Sequence, residues 1–365
     1  MQRAFVLLAI LATATTRAQA QRSWQTEFGM QGGFTRLVDA GSRGGRTDAL
    51  SLPGFNLGNL VPSAAGLYIT IPWTRQLAIE SDIAASQFSS GPTLTVLTLG
   101  LRGDYALTRE LYGAAGGALA YNNGVGENET QLGVHGALGF RHRLTRSLNA
   151  RLEARATVFR RASNAQPRDV YSVLFGVSTS AGGARGARAA GAPASRGAWT
   201  AGLGIAGGYA NVHVVRGPSL TALAFPVYGG ALGPVLATEV TMPATLFAII
   251  PIANRIAIEP GVDIHRFQES GRTDFTGNLS ARFDYAVHGG WYGALGGNLH
   301  YIKTTGASGG ARSGVNLGWG YRFPFVAAIG GRVEMNYTLF AKNLTLGTAA
   351  TNTFGLLFGA TMPLK

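Results

Sequence analysis

Charged and apolar residues take opposite sides of the same extended segments along this chain, and that restricts its fold more than any motif does. Starting at Leu77, one parity carries Leu77, Ile79, Ser81, Ile83 and Ala85, while the other carries Ala78, Glu80, Asp82, Ala84 and Ser86. Leu97, Leu99, Leu101 and Tyr105 likewise oppose Thr98, Gly100, Arg102 and Asp104, and Leu152 and Val158 oppose Arg151, Glu153 and Arg155. A period of two is the signature of a strand with two unlike faces. A soluble barrel would keep its interior apolar and put Lys and Glu outside. Here the polar parity carries Gly, Ser, Asn, Asp and Arg, and its acids and bases nearly balance. In hydrocarbon every backbone group must be paired and no sheet edge left open, so spanning strands must close on themselves. The pattern therefore predicts an all-β protein: a transmembrane antiparallel up-and-down β-barrel, apolar face to lipid and a packed polar lumen inside.

The chain also repeats itself at a shift of about 180 residues. Ile71-Pro72-Trp73 through Glu80 is answered by Ile250-Pro251-Ile252 through Glu259, and the block from Leu99 to Tyr121 by that from Leu279 to Tyr301, about half of it identical. Such self-similarity means one structural unit present twice. Eight strands are expected in each copy, the first near 26–36, 64–71, 76–88, 93–105, 111–121, 131–143, 148–159 and 169–178. The second set falls near 199–212, 241–250, 255–267, 274–285, 291–301, 312–323, 327–340 and 351–362. Between them, residues 179–198 are an Ala/Gly/Arg/Pro tract without a large apolar side chain, read as a periplasmic linker. The expected organisation is a signal peptide at 1–20, a first barrel repeat at 21–178, the linker, and a second barrel repeat at 199–365. Two eight-stranded barrels in tandem and one sixteen-stranded barrel both satisfy the pattern. The full strand set of each copy, the balanced lumen charges of each, and the long linker favour two. In narrow lumens the polar parity places Glu80, Arg102, Asp104, Arg151 and Glu153 together in the first copy, and Glu259, Arg282, Asp284, Arg332 and Glu334 in the second, as structural charge networks.

The first 20 residues carry Arg3, an apolar run from Ala4 to Ala12 and then Ala18-Gln19-Ala20, the form of a cleaved export signal. Removing Arg3 and Arg17 with it brings the formal net charge from +13 to +11. The basic residues are dispersed and no recognition pattern accompanies them, which excludes nucleic acid as a partner. The chain has no cysteine, hence no disulfide scaffold and no thiolate metal site. No later stretch reaches the roughly 18 consecutive apolar residues of a spanning helix.

Connections alternate in kind, which orients the strands. Short ones contain Thr74-Arg75, Thr108-Arg109 and Thr145-Arg146, while those around 38–63, 89–92, 122–130 and 161–168 are mostly longer and richer in Gly, Ser, Asn and Pro. Tight turns belong on the periplasmic side and long loops outside. Trp24, Trp73, Tyr105, Trp199, Tyr285 and Trp291 then fall near the periplasmic end and are expected to form an interfacial aromatic girdle. The connection 216–240 is unusually apolar, with Leu220, Leu223, Phe225 and Tyr228, and is left open between an extra strand and a plug.

The Gly-rich alternating strands, the Arg-x-Glu of Arg151/Glu153 and Arg332/Glu334, and the Phe-Gly pairs Phe175-Gly176 and Phe358-Gly359 resemble the OmpA-like family of small eight-stranded outer-membrane β-barrel domains. The resemblance covers each copy and concerns architecture, since members similar in shape differ in role. One departure is that barrels of this kind usually end on an aromatic residue read by the assembly machinery. This chain ends Met362-Pro363-Leu364-Lys365, leaving Phe354 and Phe358 as the nearest candidates.

The expected role is that of a non-enzymatic outer-membrane protein whose barrels anchor it and whose external loops meet the surroundings. Its expected partners are outer-membrane lipid and lipopolysaccharide and the barrel-assembly machinery; any extracellular ligand is unknown. A sixteen-stranded porin for small hydrophilic solutes is the alternative, although 122–130 is short for a pore-constricting loop. No cofactor, metal or catalytic residue is expected. His135 and His142 lie on opposite faces, His265 and His300 have no histidine counterpart in the other copy, and Glu127-Asn128-Glu129 reads as a solvated loop.

Overall fold

The computed structural model describes residues 24–39, 46–52, 66–89, 93–124, 127–145, 148–160, 168–180, 199–214, 219–225, 246–269, 272–306, 309–326, 329–341 and 350–364. The expected signal peptide, and the linker from residue 181 on, lie outside the described residues. All regular structure among the described residues is β.

The first repeat supplies β1 (Glu27–Asp39), β2 (Arg46–Leu52), β3 (Gly66–Pro72), β4 (Leu77–Ser89), β5 (Thr93–Ala106), β6 (Leu111–Gly124), β7 (Glu127–Arg143), β8 (Leu148–Arg160) and β9 (Arg168–Ser180). The second supplies β10 (Gly202–Val214), β11 (Ser219–Phe225), β12 (Leu246–Ala253), β13 (Ile256–Glu269), β14 (Arg272–His288), β15 (Trp291–Thr304), β16 (Gly310–Val326), β17 (Ile329–Phe340) and β18 (Thr351–Pro363). Each repeat closes an eight-stranded antiparallel barrel. In the first, β3 to β9 follow one another by hairpin pairing, and β1 closes the ring, with β9 along its whole length and β3 along 27–31. In the second, β10 does the same between β18 and β12. The pairing of β9 with β1 rather than with β10 is what makes two small barrels.

The strands β2 and β11 fall inside 38–63 and 216–240, the first of which had been expected to be a plain loop and the second an extra strand or a plug. Both are strands, and both leave the barrel that encodes them. In the half of the molecule away from the short turns, β2 pairs with β1 through Gly33↔Ser51 to Val38↔Arg46, and on its other side with β13 of the second repeat through Ile264↔Leu52 to Glu269↔Thr47. Reciprocally, β11 pairs with β10 and with β4 of the first repeat. The exchange is possible because β3 stops pairing with β4 after Ile83 and β12 stops pairing with β13 after Val262, leaving the ends of β4 and β13 unpaired by their own repeats. Followed through these pairings, the outer half forms one continuous ring: β1, β2, β13 to β18, β10, β11, β4 to β9 and back to β1. The inner half is two rings of eight, and the outer half is one ring of sixteen.

Each fork has the same local chemistry. The strand β1 leaves β3 at Gln31 and joins β2 at Gly33, and β10 leaves β12 at Ile205 and joins β11 at Gly208. The dipeptides Gly32-Gly33 and Gly207-Gly208 sit at these points. Gly33 has φ +156°, and a Cβ there would lie 2.2 Å from the Val173 carbonyl oxygen, so a side chain would block the branch.

Candidate functional site in the two lumens

Burial follows the two parities. Leu101, Val134 and Leu279 point outward with 61, 67 and 56% of their surface exposed, whereas Glu153, Asp284 and Glu334 point inward and are 0% exposed. Trp73, Tyr105, Tyr285 and Trp291 are exposed at the turn end of the outer face, where Trp291 also packs against Trp319 and Tyr321. Trp24 and Trp199 correct the expectation of a girdle that included them. Trp24 is buried, donating its indole N–H to the Gln76 carbonyl at 3.0 Å, with the Arg141 guanidinium 4.0 Å above its ring. Trp199 stacks under Arg322 at 3.7 Å and meets the edge of Tyr292. Both residues precede the first strand of their barrel, so strand parity does not apply to them, and each folds under the lumen as its floor.

Above the first floor, all five expected residues of the first copy meet. Arg102 on β5 places one guanidinium nitrogen 2.7 Å from both Glu80 and Glu153, and donates a second bond to Glu153 at 2.8 Å. Its Nε lies 2.9 Å from Asp104, a charge contact without hydrogen-bond alignment. Arg151 on β8 donates to Glu80 at 2.7 Å and to Gln31 at 2.6 Å, and lies 2.9 Å from Glu153. The Tyr112 hydroxyl donates to Glu153 at 2.6 Å, and the Tyr68 ring lies 4.2 Å below the Arg151 guanidinium. One layer further out, Arg155 joins Asp82 at 2.7 Å and Glu153 at 2.7 Å, beside buried His135. An apolar layer of Leu37, Ala120, Phe159 and Val170 then caps the network.

The second copy brings its five residues together in the same geometry. Arg282 meets Glu334 at 2.6 Å, Glu259 at 2.8 Å and Asp284 at 3.1 Å; Arg332 donates to Glu259 at 2.6 Å; and Tyr292 donates to Glu334 at 2.5 Å. Arg322 bridges Asp284 at 2.8 Å and Glu259 at 3.4 Å. The next layer differs, for Asn316, Asn336 and Thr338 form a neutral hydrogen-bonded set where the first barrel has an ion pair. The arginine at the centre of each network has a glycine opposite it on the neighbouring strand. A Cβ on Gly116 would lie 2.4 Å from that of Arg102, and one on Gly296 2.3 Å from that of Arg282.

The strand positions decide what these contacts do. Around the first ring β4 and β8 are four places apart of eight, diametrically opposite, and the bonds Glu80–Arg151 and Asp82–Arg155 join them directly. In the second ring β13 and β17 are opposite, joined by Glu259–Arg332. Side chains thus cross the full width of each lumen. A space of about 30 Å³ remains at the turn end of the first barrel beside Trp24, Glu27, Tyr112 and Arg141, and one of about 10 Å³ beside Glu259, Arg282 and Arg332. Spaces of that size are on the order of one or two water molecules, far too small for a solute path.

Tyr112 and Tyr292 belong to the networks and were not assigned to the lumens from sequence, and the two floor tryptophans were assigned to the outer face. The tyrosines carried a signal, standing in the duplicated Tyr-Gly-Ala blocks at 112–114 and 292–294. His135 and His300 are buried in different lumens, and exposed His142 pairs with Glu110 at 2.9 Å.

No family model matches the sequence, and no curated protein matches it. Among solved structures, the chain is similar to a bacterial polysaccharide outer membrane secretin at 7% identity, covering 93% of this chain and 99% of that one with a TM-score of 0.31. It is similar to the COG4313 outer membrane channel from Pseudomonas putida F1 at 10% identity, 95 and 98% coverage and a TM-score of 0.25. Ail, the attachment invasion locus protein of Yersinia pestis, matches at 11% identity over 43% of this chain and 99% of its own, with a TM-score of 0.24.

Proposed function

We propose that this chain is a non-enzymatic integral outer-membrane protein in which two plugged barrels act as an anchor and the connections at the long-loop end act on the surroundings. The observation that carries this reading is the set of ion pairs joining opposite walls, Glu80–Arg151, Asp82–Arg155 and Glu259–Arg332. A lumen crossed by such pairs has no continuous water path for a solute. The outer face supports the placement in lipid: its apolar residues lie in a band, bounded at the turn end by Trp73, Tyr105, Tyr285 and Trp291. Strands of 13 to 17 residues such as β8 and β7 exceed the roughly 9–11 needed to cross hydrocarbon, so their outer ends stand above it. That is where the two repeats merge. Under this reading the protein contacts phospholipid and lipopolysaccharide and reaches its place through the barrel-assembly machinery.

Planar-bilayer recording tests the reading. The purified chain should give no steady conductance, with at most rare small openings. Large, long-lived openings would establish the porin alternative and remove the plugged-barrel proposal.

A further inference from the structure

The Thr-Arg turns of the first repeat are not used by the lumen networks. In each of them the threonine hydroxyl accepts a backbone N–H across the turn, from Leu77 to Thr74 at 3.0 Å, from Leu111 to Thr108 at 3.0 Å and from Leu148 to Thr145 at 3.1 Å. The preceding apolar residue and the threonine itself donate their N–H groups to the same three leucine carbonyls, at 2.8 to 3.1 Å. The turn backbone is thus satisfied internally, and the side chains of Arg75 and Arg109 have no part in holding the first two turns among the described residues. Arg75 and Arg109 are exposed, and neither forms an ion pair among the described residues. Arg143 is exposed and reaches the third turn, donating Nε–H to the Thr145 carbonyl at 2.9 Å. The only carboxylate in these turns among the described residues, Glu110, sits beside His142. At the opposite end of the strands both signs occur together, as in Arg36–Asp48 at 2.8 Å.

The apolar neighbour makes the device specific. Trp73 is 69% and Leu144 54% exposed, next to the cationic turn residues. A soluble polyanion would pair with the arginines and leave Trp73 and Leu144 in water. An amphiphile would satisfy both, with its acyl chain on the apolar residue and its phosphate on the guanidinium. We propose that the turn rim of the first repeat is a binding surface for the phosphodiester headgroups of anionic phospholipid. The proposal rests on the membrane placement above. The second repeat has Asn254-Arg255 and Gly289-Gly290 at the corresponding turns, so Arg255 is its one exposed cation there among the described residues.

The full chain, reconstituted in phosphatidylcholine vesicles with a trace of spin-labelled phosphatidylglycerol or spin-labelled phosphatidylcholine, supplies the test. The protein should hold the phosphatidylglycerol label preferentially, by up to about fivefold per engaged arginine at low salt, with the preference fading as salt is raised. The triple variant Arg75→Gln/Arg109→Gln/Arg143→Gln should associate equally with both labels. The matching triple lysine variant should keep the preference, and Arg255→Gln should change it least. Equal association of both labels with the unaltered protein, or an unchanged preference in the glutamine variant, would overturn the proposal while leaving insertion intact. Failure to enter phosphatidylcholine vesicles at all would instead remove the membrane placement on which it stands.

Discussion

The two barrels share one charged layer and differ in the next, and the difference falls on whole pairs. Glu80, Arg102, Asp104, Arg151 and Glu153 have charged equivalents of the same type in Glu259, Arg282, Asp284, Arg332 and Glu334. One layer out, Asp82 and Arg155 of the first barrel correspond to Gly261 and Asn336 of the second, so both partners of that ion pair are replaced together. The physical reason is that a buried charge stripped of its partner is far costlier than a pair absent altogether. His135 is replaced by Asn316 in the same layer, which Asn336 and Thr338 then satisfy by hydrogen bonds. The inner layer thus holds each lumen shut and the outer layer fills it, with freedom to change in compensated steps.

The largest expected effect breaks the shared layer at its most connected carboxylate. Glu153 accepts from or contacts Arg102, Arg151, Arg155 and Tyr112, while Glu334 serves Arg282, Arg332, Tyr292 and Asn336, one arginine fewer. Glu153→Ala should destabilise the protein by about 3–5 kcal/mol, and Glu334→Ala by less. Urea unfolding followed by tryptophan fluorescence, with folding checked by the heat-dependent gel shift of barrels, measures both. An equal or greater loss at Glu334 would show that the networks are not graded by the arginines they neutralise.

A smaller effect is expected from converting the second layer of one barrel into that of the other. Arg155→Asn leaves Asp82 without its partner, and Asp82→Gly leaves Arg155 with Glu153 alone. Each single change should cost about 1.5–3 kcal/mol. The double variant should cost less than the sum by roughly 1–2 kcal/mol, within the usual range for residues in contact. Strict additivity in that double-mutant cycle would mean that the paired replacement of Asp82 and Arg155 has no energetic basis.

Most of the inner half was legible because a period of two assigns every residue of a long strand to a side. Glu80, Arg102 and Arg151 needed only parity to be put in the lumen, and the duplicated blocks repeated the assignment for Glu259, Arg282 and Arg332. Parity failed where no strand enforces it, which is why Trp24 and Trp199 were expected outside and are found beneath the lumens. It was weak again in β2 and β11, whose seven residues, RTDALSL and SLTALAF, are too few to show a period. What makes them strands is pairing on both sides, and the partners are far off in sequence, Ala49 with Phe267 and Ala222 with Phe88. The repeated Gly-Gly at each fork was visible but indistinguishable from the many other strand glycines. The full strand set of each copy, the balanced lumen charges and the long linker favoured two barrels over one of sixteen strands, and the inner half bears this out; the outer ring that joins them rests on β2 and β11, which the pattern did not resolve.

The contrast between a divided inner half and a shared outer half can be tested with little disturbance to the fold, because the natural chain has no cysteine. Ala49/Phe267 and Leu50/Arg266 are consecutive register partners across the β2–β13 seam, and Phe88/Ala222 and Gln87/Leu223 across the β11–β4 seam. Consecutive antiparallel pairs alternate between wide and close spacing, so one pair in each set has its Cα atoms at about 4.5 Å, within disulfide reach. Paired cysteine substitution at each site should leave reduced protein folded and, on oxidation, form a bond within one chain at one pair of each seam. Non-reducing gels and thiol counting would show a monomer with both thiols lost. Folded protein that keeps its thiols at both pairs of a seam would mean that the outer ring is open there. Cross-linking between two chains would mean that β2 or β11 reaches a neighbour's barrel in preference to its own second repeat. Bonds at both seams of one chain would leave no path by which the barrels could swing apart, since two separate sheet connections would then fix their outer halves.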